Sequence, residues 1–578
     1  MDGETLIKNF LKKHWWRYLI GVTFLITVDV IQIFIPKQIG SIIDAVGLAV
    51  PDMLYVNSLI FRILMLAVGL AIGRIFWRIT INGTARLFEF QLLNNMFQHI
   101  IHLDQDFFDK WRTGDLMTRF TSDVYLLRRL MGNSIIMIVD AVFMTSLTII
   151  AMGSFVDWKL TLIAIIPLPS IAVISLIFGR MIQRRAMDLQ KKTSELSNIT
   201  EEDIAGIDVI KLYANHEVME KIFANKAKEY YNSFIKLIRV AGLMYPLAML
   251  VGQLSTIIIF NIGGPMVINN QITLGDFIMT HQYIGMLVWP MIAFGDFVNL
   301  LARAKASLKR VNEVLNQPNS VVEPPYEVYD FQGKYEIKNL SFSYPGTKRE
   351  VLKSVNMKIE PGEMVAFVGK IGSGKSTLAK LLVKMYPVER GTIFLDGKDI
   401  NDINGRFIRE NVSYVPQESF LFSMTVRENI AFSDEKLEPY AEEYAQLAHV
   451  HEDITNLEKA YETVVGVRGA TLSGGQRQRV TIARALAKNS KMIILDDCLS
   501  AVDTETEEEI IKTLRSETEG KTIVVISHRL KAVKDADKIF VFDDGKIVEE
   551  GNHDELIVKE GIYYSMYIKQ LIEKKVED

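Results

Sequence analysis

Six runs of about 20 mostly apolar residues, near 18–38, 58–80, 133–155, 159–180, 243–268 and 276–300, are each long enough to cross a bilayer as a helix. Between the second and third runs, and again between the fourth and fifth, the pattern changes to mixed charge at helical spacing over residues 81–132 and 181–242. Read as antiparallel helix pairs of about 25 residues each way, these stretches form arms reaching about 40 Å beyond the membrane face. Their turns fall in FFDKWRTGD (107–115) and AGIDVIKLYANHE (205–217), whose apolar side chains predict docking surfaces rather than solvated loops. After residue 334, short β-rich runs alternate with helices, the pattern of an α/β domain. The expected architecture is therefore multidomain: a six-helix α-helical transmembrane domain with two arms over 1–310, a linker over 311–334 containing Pro318, Pro324 and Pro325, and an α/β domain over 335–578.

Charge orients the spans. Lys8, Lys12, Lys13 and Arg17 precede the first; Arg112, Arg119, Arg128 and Arg129 follow the second; Arg180, Arg184, Arg185, Lys191 and Lys192 follow the fourth; Arg303, Lys305, Lys309 and Arg310 follow the sixth. The remaining loops have almost no Lys or Arg, so the positive-inside rule places the arms and both termini in the cytoplasm of a multi-pass protein of the plasma (bacterial cytoplasmic) membrane. The first apolar run is too long for a signal peptide and lacks a nearby small-residue cleavage motif, which predicts that it is retained. A net charge of −4 argues against a nucleic-acid partner. The single cysteine, Cys498, excludes a disulfide framework and a Cys-rich metal site. Within the spans, Asp29, Asp140 and Asp296 are costly unless they face protein or water. With Trp289, Met286 and Phe294 they would line a cavity suited to lipophilic cations; polar contacts between helices are the alternative for each.

The chemistry lies in the C-terminal half. EMVAFVG (363–369) reads as a buried strand entering GKIGSGKST (369–377), which fits G-x-x-x-x-G-K-[ST]. Gly369, Gly372 and Gly374 let backbone N–H groups approach phosphates at a helix N-terminus, where Lys375 adds charge, Ser376 can ligate Mg²⁺ and Thr377 follows. A second buried strand, MIILDD (492–497), ends in Asp496, suited to the Mg²⁺ shell.

Together these motifs resemble the ABC transporter family, and the resemblance covers the whole chain. LSGGQRQR (472–479) is similar to its signature loop, which implies that Ser473, Gly474, Gly475 and Gln476 contact ATP held by the opposite ATPase domain. Tyr344 in SFSYPG resembles the aromatic that stacks on adenine, Gln417 in YVPQ the Q-loop residue near the metal, SAVD (500–503) the D-loop, and His528 in ISHRL the switch histidine near the γ-phosphate. The resemblance implies an exporter-type half-transporter binding ATP and Mg²⁺, with Asp497, His528 and Gln417 as the hydrolytic residues and the arms coupling to ATPase domains.

The sequence departs from the family at two points. The residue after the metal-shell Asp is normally Glu; here it is Asp497, shorter by one methylene, or about 1.5 Å. A base must lie within about 2.6–3.2 Å of its proton, and a displacement of about 1 Å can cost about a hundredfold in rate. Slow hydrolysis at this chain's own site is expected. With its intact signature, the chain resembles the degenerate-site subunit of heterodimeric multidrug exporters, which implies a second half-transporter with Glu in its Walker B strand. The alternatives are a homodimeric lipid or drug exporter in which Asp works, and a nucleotide-binding regulatory subunit of a transporter or channel. Val467, the second departure, stands where exporters commonly have a Glu that meets the coupling arms, with Arg468 the neighbouring charge.

Overall fold

A computed structural model describes residues 3–48, 52–319, 321, 323–466, 469, 471–499, 502, 504–517 and 520–577. Val467, Arg468 and, from the SAVD stretch, Ser500, Ala501 and Asp503 lie outside the described residues. The chain divides into two compact units, Met1–His102 with Trp111–Gln317, and Leu103–Lys110 with Pro318–Asp578.

In the first unit every expected span lies inside one long helix: α1 (Gly3–Val46), α2 (Met53–Ile100), α3 (Thr113–Phe155), α4 (Trp158–Ala205), α5 (His216–Ile268) and α6 (Leu274–Leu315). Side chains in the cation-poor loops start three of them. Asp52 Oδ1 accepts from Leu54 N at 2.9 Å, Asp157 Oδ1 from Leu160 N at 2.7 Å, and Thr273 with Asp276 forms a capping box. Large apolar side chains such as Phe61, Leu64 and Ile72 remain exposed on the outer faces, as expected where lipid is the solvent. Inside the bundle, polar groups find backbone partners: Tyr283 donates to Ile33 O and Tyr18 to Met131 O, each at 2.9 Å.

The linker expected from residue 311 begins instead after Leu315, because Val311, Val314 and Leu315 continue the buried face of α6. The first arm differs as well, since its tip, Leu103–Lys110, belongs to the second unit. Val321 N donates to Asp104 Oδ2 at 2.7 Å and the Tyr386 hydroxyl to Asp109 Oδ2 at 2.6 Å within that unit.

The rest of the second unit is the α/β domain. One sheet runs β2 (Glu350–Ile359), β1 (Tyr335–Ser343), β4 (Ile393–Leu395), β5 (Lys398–Asp399). The other has order β10-β9-β3-β8-β7-β6, built from β3 (Met364–Gly369), β6 (Val412–Val415), β7 (Met492–Asp496), β8 (Thr522–Ile526), β9 (Lys538–Asp543) and β10 (Lys546–Gly551). All its pairings are parallel except β10 with β9. β3, β7 and β8 are buried along their whole length, which explains their unbroken apolar sequences. Because β8 lies between β3 and β7, the carboxyl ends of three strands converge on one edge, where open α/β sheets bind ligands.

Candidate functional site

The glycine loop is fixed by steric necessity. Gly369 has φ +143° and a Cβ there would stand 2.1 Å from Phe542 O; Gly374 has φ +102° and a Cβ would meet Leu352 Cδ2 at 2.6 Å. The loop ends in helix α7 (Lys375–Leu382), whose first N–H groups face the loop. Lys375 is buried and curls over the loop, donating to Gly369 O at 2.9 Å, Lys370 O at 2.8 Å and Ser373 Oγ at 3.3 Å. Burial lowers its pKa to about 8, against the opposing pull of Asp497 and Asp496.

The two carboxylates differ in setting. Asp496, buried at the end of β7, accepts from Ser376 Oγ at 2.6 Å on Oδ1 and from the Tyr414 hydroxyl at 2.7 Å on Oδ2. Asp497 leaves the strand with φ +45° and its N–H donates to Ile526 O at 2.9 Å. Its Oδ2 accepts from Gln417 Nε2 at 3.1 Å and lies 3.9 Å from His528 Nε2. Burial raises the Asp497 pKa, with Asp496 adding to the rise and His528 and Lys375 opposing it. His528 is lowered by burial and then by the charge of Lys375, which favours neutral imidazole at pH 7.

Gln417, Asp497 and His528 line one cleft of about 400 Å³ together with Tyr344, Gly372, Gly374, Lys375, Ser376 and Thr377. The half-buried Tyr344 shares a hydrogen bond with Thr377 Oγ1 at 3.0 Å. Gly369 and Asp496 stand just behind the lining, joined to it through Lys375 and Ser376. Ser473, Gly474, Gly475 and Gln476 are not among the lining residues. They begin helix α8 (Gly474–Ala487), where Ser473 accepts from Gln476 N at 3.2 Å and Gln476 Oε1 accepts from Ser473 N at 2.9 Å. Gln476 also donates to Asp453 Oδ1 at 3.0 Å.

The donor set suits Mg²⁺: a hydroxyl and a carboxylate, both hard oxygens, already meet at 2.6 Å. Among the described residues no cluster of three or more His, Cys, Asp or Glu could hold a metal. An ion here would rest on Ser376, Asp496 and Gln417 with phosphate oxygens. Sequence reasoning gave Tyr414 no role, although a hydroxyl-bearing aromatic just before Gln417 was the available signal. Ile371, within the glycine loop, also lines the cleft, and Val351, Asp544 and Gly545 complete it from elements distant in sequence.

Within the helical unit a second cavity, of about 590 Å³, brings Asp29 and Asp140 together with Met286 and Trp289. Asp296 and Phe294, expected there, are not among its lining residues; Gln32, Arg74, Met144 and Gln282 are. Asp29 is 5% exposed, and its Oδ2 has no hydrogen-bond partner among the described residues.

Residues 18–291 match the ABC transporter transmembrane region and residues 352–500 the ABC transporter family. The chain is 35% identical over 567 residues to the probable multidrug resistance ABC transporter ATP-binding/permease protein YheI of Bacillus subtilis (strain 168), covering 97% of this chain and 96% of that protein. It is 31% identical over 570 residues to the multidrug resistance-like ATP-binding protein MdlA of Escherichia coli (strain K12), covering 98% and 97%. It is 33% identical over 488 residues to the ATP-dependent lipid A-core flippase of Syntrophus aciditrophicus (strain SB), covering 84% and 81%. The structure of a bacterial Atm1-family ABC exporter with ATP bound shares the fold, with a TM-score of 0.79 at 23% identity over 96% of this chain and 99% of that one.

Proposed function

Because the chain belongs to the ABC transporter family, with an exporter's membrane region and an ATPase domain, we propose that it is one subunit of a heterodimeric multidrug exporter. In this reading it holds ATP at a slow site of its own and lends Ser473, Gly474, Gly475 and Gln476 to a competent site on a partner that carries Glu after its metal-shell Asp. The observation that carries the proposal is Asp497, a side chain one methylene short, engaged by Gln417 at 3.1 Å. The names of the multidrug-resistance relatives support the choice of cargo.

Each residue then has a task. The loop N–H groups and Lys375 neutralise phosphate charge, Tyr344 supplies a stacking face for the base, and Thr377 anchors Tyr344. Bound at Ser376, Asp496 and Gln417, Mg²⁺ would neutralise charge on the phosphate oxygens. Asp497 orients and polarises the attacking water, and neutral His528 stands beside it to hydrogen-bond at the γ-phosphate. ATP binding closes paired ATPase domains, the arms carry that closure to the spans, and hydrolysis resets the cycle. The protein sits in the plasma (bacterial cytoplasmic) membrane with both termini cytoplasmic, as its Lys and Arg distribution supports. Asp29 and Asp140 favour lipophilic cations as cargo.

The likeness to a lipid A-core flippase favours a second reading, a homodimeric lipid exporter in which Asp497 suffices. ATPase activity of the purified chain alone, with and without Asp497→Glu, separates the two. The heterodimer reading expects a nearly inert wild type and a gain of about a hundredfold with Glu. Equal turnover by both would replace it with the homodimer. A subunit that only gates a channel would leave substrate without ATP-driven movement in vesicles containing both chains.

A further inference from the structure

Tyr386 follows α7, is buried to 2% exposure, and touches both the wall of the nucleotide cleft and the tip of the first arm. On one side its ring meets that of Tyr344 edge-on, at 5.2 Å between centroids and 85° between planes. Phe342 packs against both, 5.3 Å from Tyr344 and 6.0 Å from Tyr386. On the other side its hydroxyl donates to Asp109 Oδ2 at 2.6 Å, on the tip helix Gln105–Lys110 of the first arm. The other Asp109 oxygen accepts from Gln105 Nε2 at 3.1 Å, so that carboxylate is held from two directions. Tyr344 in turn binds Thr377 of the phosphate loop at 3.0 Å. An unbroken line of contacts thus runs Thr377, Tyr344, Tyr386, Asp109.

We propose that Tyr386 is a positioning residue that links occupancy of the nucleotide cleft to the arm tip, through Tyr344 on one side and Asp109 on the other. The proposal rests on the reading of Tyr344 as the stacking face for the base of ATP. A base settling on Tyr344 fixes or turns its ring, and close packing with Phe342 and Tyr386 prevents Tyr344 from moving alone. The hydroxyl-to-carboxylate bond is charge-assisted and directional, so a shift of Tyr386 is delivered to Asp109 rather than dissipated. Linkage makes the effect reciprocal: an arm tip held in place biases the base platform by the same free energy.

The test uses the full chain in lipid nanodiscs, with a nitroxide attached at Lys110→Cys; the one native cysteine, Cys498, is buried. Two quantities are read on adding ATP with Mg²⁺: the mobility of the label and the affinity for a fluorescent ATP analogue. ATP should alter the label's mobility in the wild type. Tyr386→Phe, which keeps the ring and removes the hydroxyl, should abolish that response while affinity shifts by less than about fivefold, the size of the reciprocal coupling. Asp109→Ala should do the same from the exposed side of the bond, and Asp109→Asn, which retains an acceptor, should restore it. A full response in Tyr386→Phe overturns the proposal, as does a loss of affinity as large as that of Tyr344→Ala, which would mark Tyr386 as mere support for the cleft. Tyr344→Ala checks the underlying reading separately: affinity should fall by about tenfold or more, and an unchanged affinity would remove the base platform itself.

Discussion

The Tyr414 hydroxyl donates to Asp496 Oδ2 at 2.7 Å, occupying the carboxylate oxygen that Ser376 does not. Partners of this kind orient a ligand and typically account for about 10–100-fold in metal affinity. Tyr414→Phe should therefore raise the Mg²⁺ concentration needed for nucleotide binding by about tenfold while the fold survives. A Mg²⁺ titration that superimposes on the wild type would show that Ser376 alone orients Asp496.

Lys375 predicts how ATP binding depends on pH. Its pKa is lowered to about 8, so the free site loses this charge above that pH, whereas phosphates favour the ammonium. Binding then requires taking up a proton. Affinity should be level below pH 8 and fall above it, by at most about tenfold per pH unit. Lys375→Arg, which stays charged, should flatten the curve, and a wild-type affinity constant to pH 10 would contradict the buried-lysine account.

Two glycines of the loop should respond unequally to alanine. A Cβ at Gly369 would strike Phe542 O, a backbone atom paired across β3 and β9, whereas one at Gly372 would meet no atom of the described residues within 4 Å. Both have positive φ. Gly372→Ala should cost about 1–2 kcal/mol from strain alone, and Gly369→Ala about 3 kcal/mol or more because the sheet edge must move. Thermal unfolding of the two variants, ranked in the opposite order, would refute the steric argument.

Ser473 caps α8 through its bond with Gln476 N. Ser473→Ala should lower stability by about 1 kcal/mol and Ser473→Thr by less. Neither should weaken ATP binding to this chain's own cleft, since the signature residues do not line it. A calorimetric titration in which Ser473→Ala loses affinity for ATP would mean that signature and phosphate loop act within a single chain.

The Asp29 carboxylate has one oxygen without a hydrogen-bond partner among the described residues, in a cavity that also holds Asp140 and Trp289. Asp29→Asn should depress export of a lipophilic cation strongly, by about tenfold as one lost charge contact predicts, and leave a neutral lipophile unaffected. Paired efflux assays in inverted vesicles decide it. Equal loss of both substrates would assign Asp29 to helix packing.

Much of this protein was legible in the sequence because the signals are local. Six apolar runs specify six helices, since backbone polar groups in lipid must bond within their own segment. The glycine spacing of 369–377 specifies its loop, since only glycine tolerates those φ values and contacts. Strand–loop–helix order around Lys375 and Asp496 follows from apolar runs and caps within a few residues.

Tertiary structure alone decided which distant groups meet. Gln417 and Asp497 are 80 residues apart and become hydrogen-bonded because β6 pairs with β7. Asp496 gained Tyr414, the membrane cavity took Asp29 and Asp140 but not Asp296, and the arm tip joined the α/β unit through Asp104 and Asp109. The physical reason is common to all four. Hydrophobic period and glycine placement act between covalent neighbours, whereas the choice of donor for a given carboxylate depends on strand order and helix rotation, which the whole packed core determines.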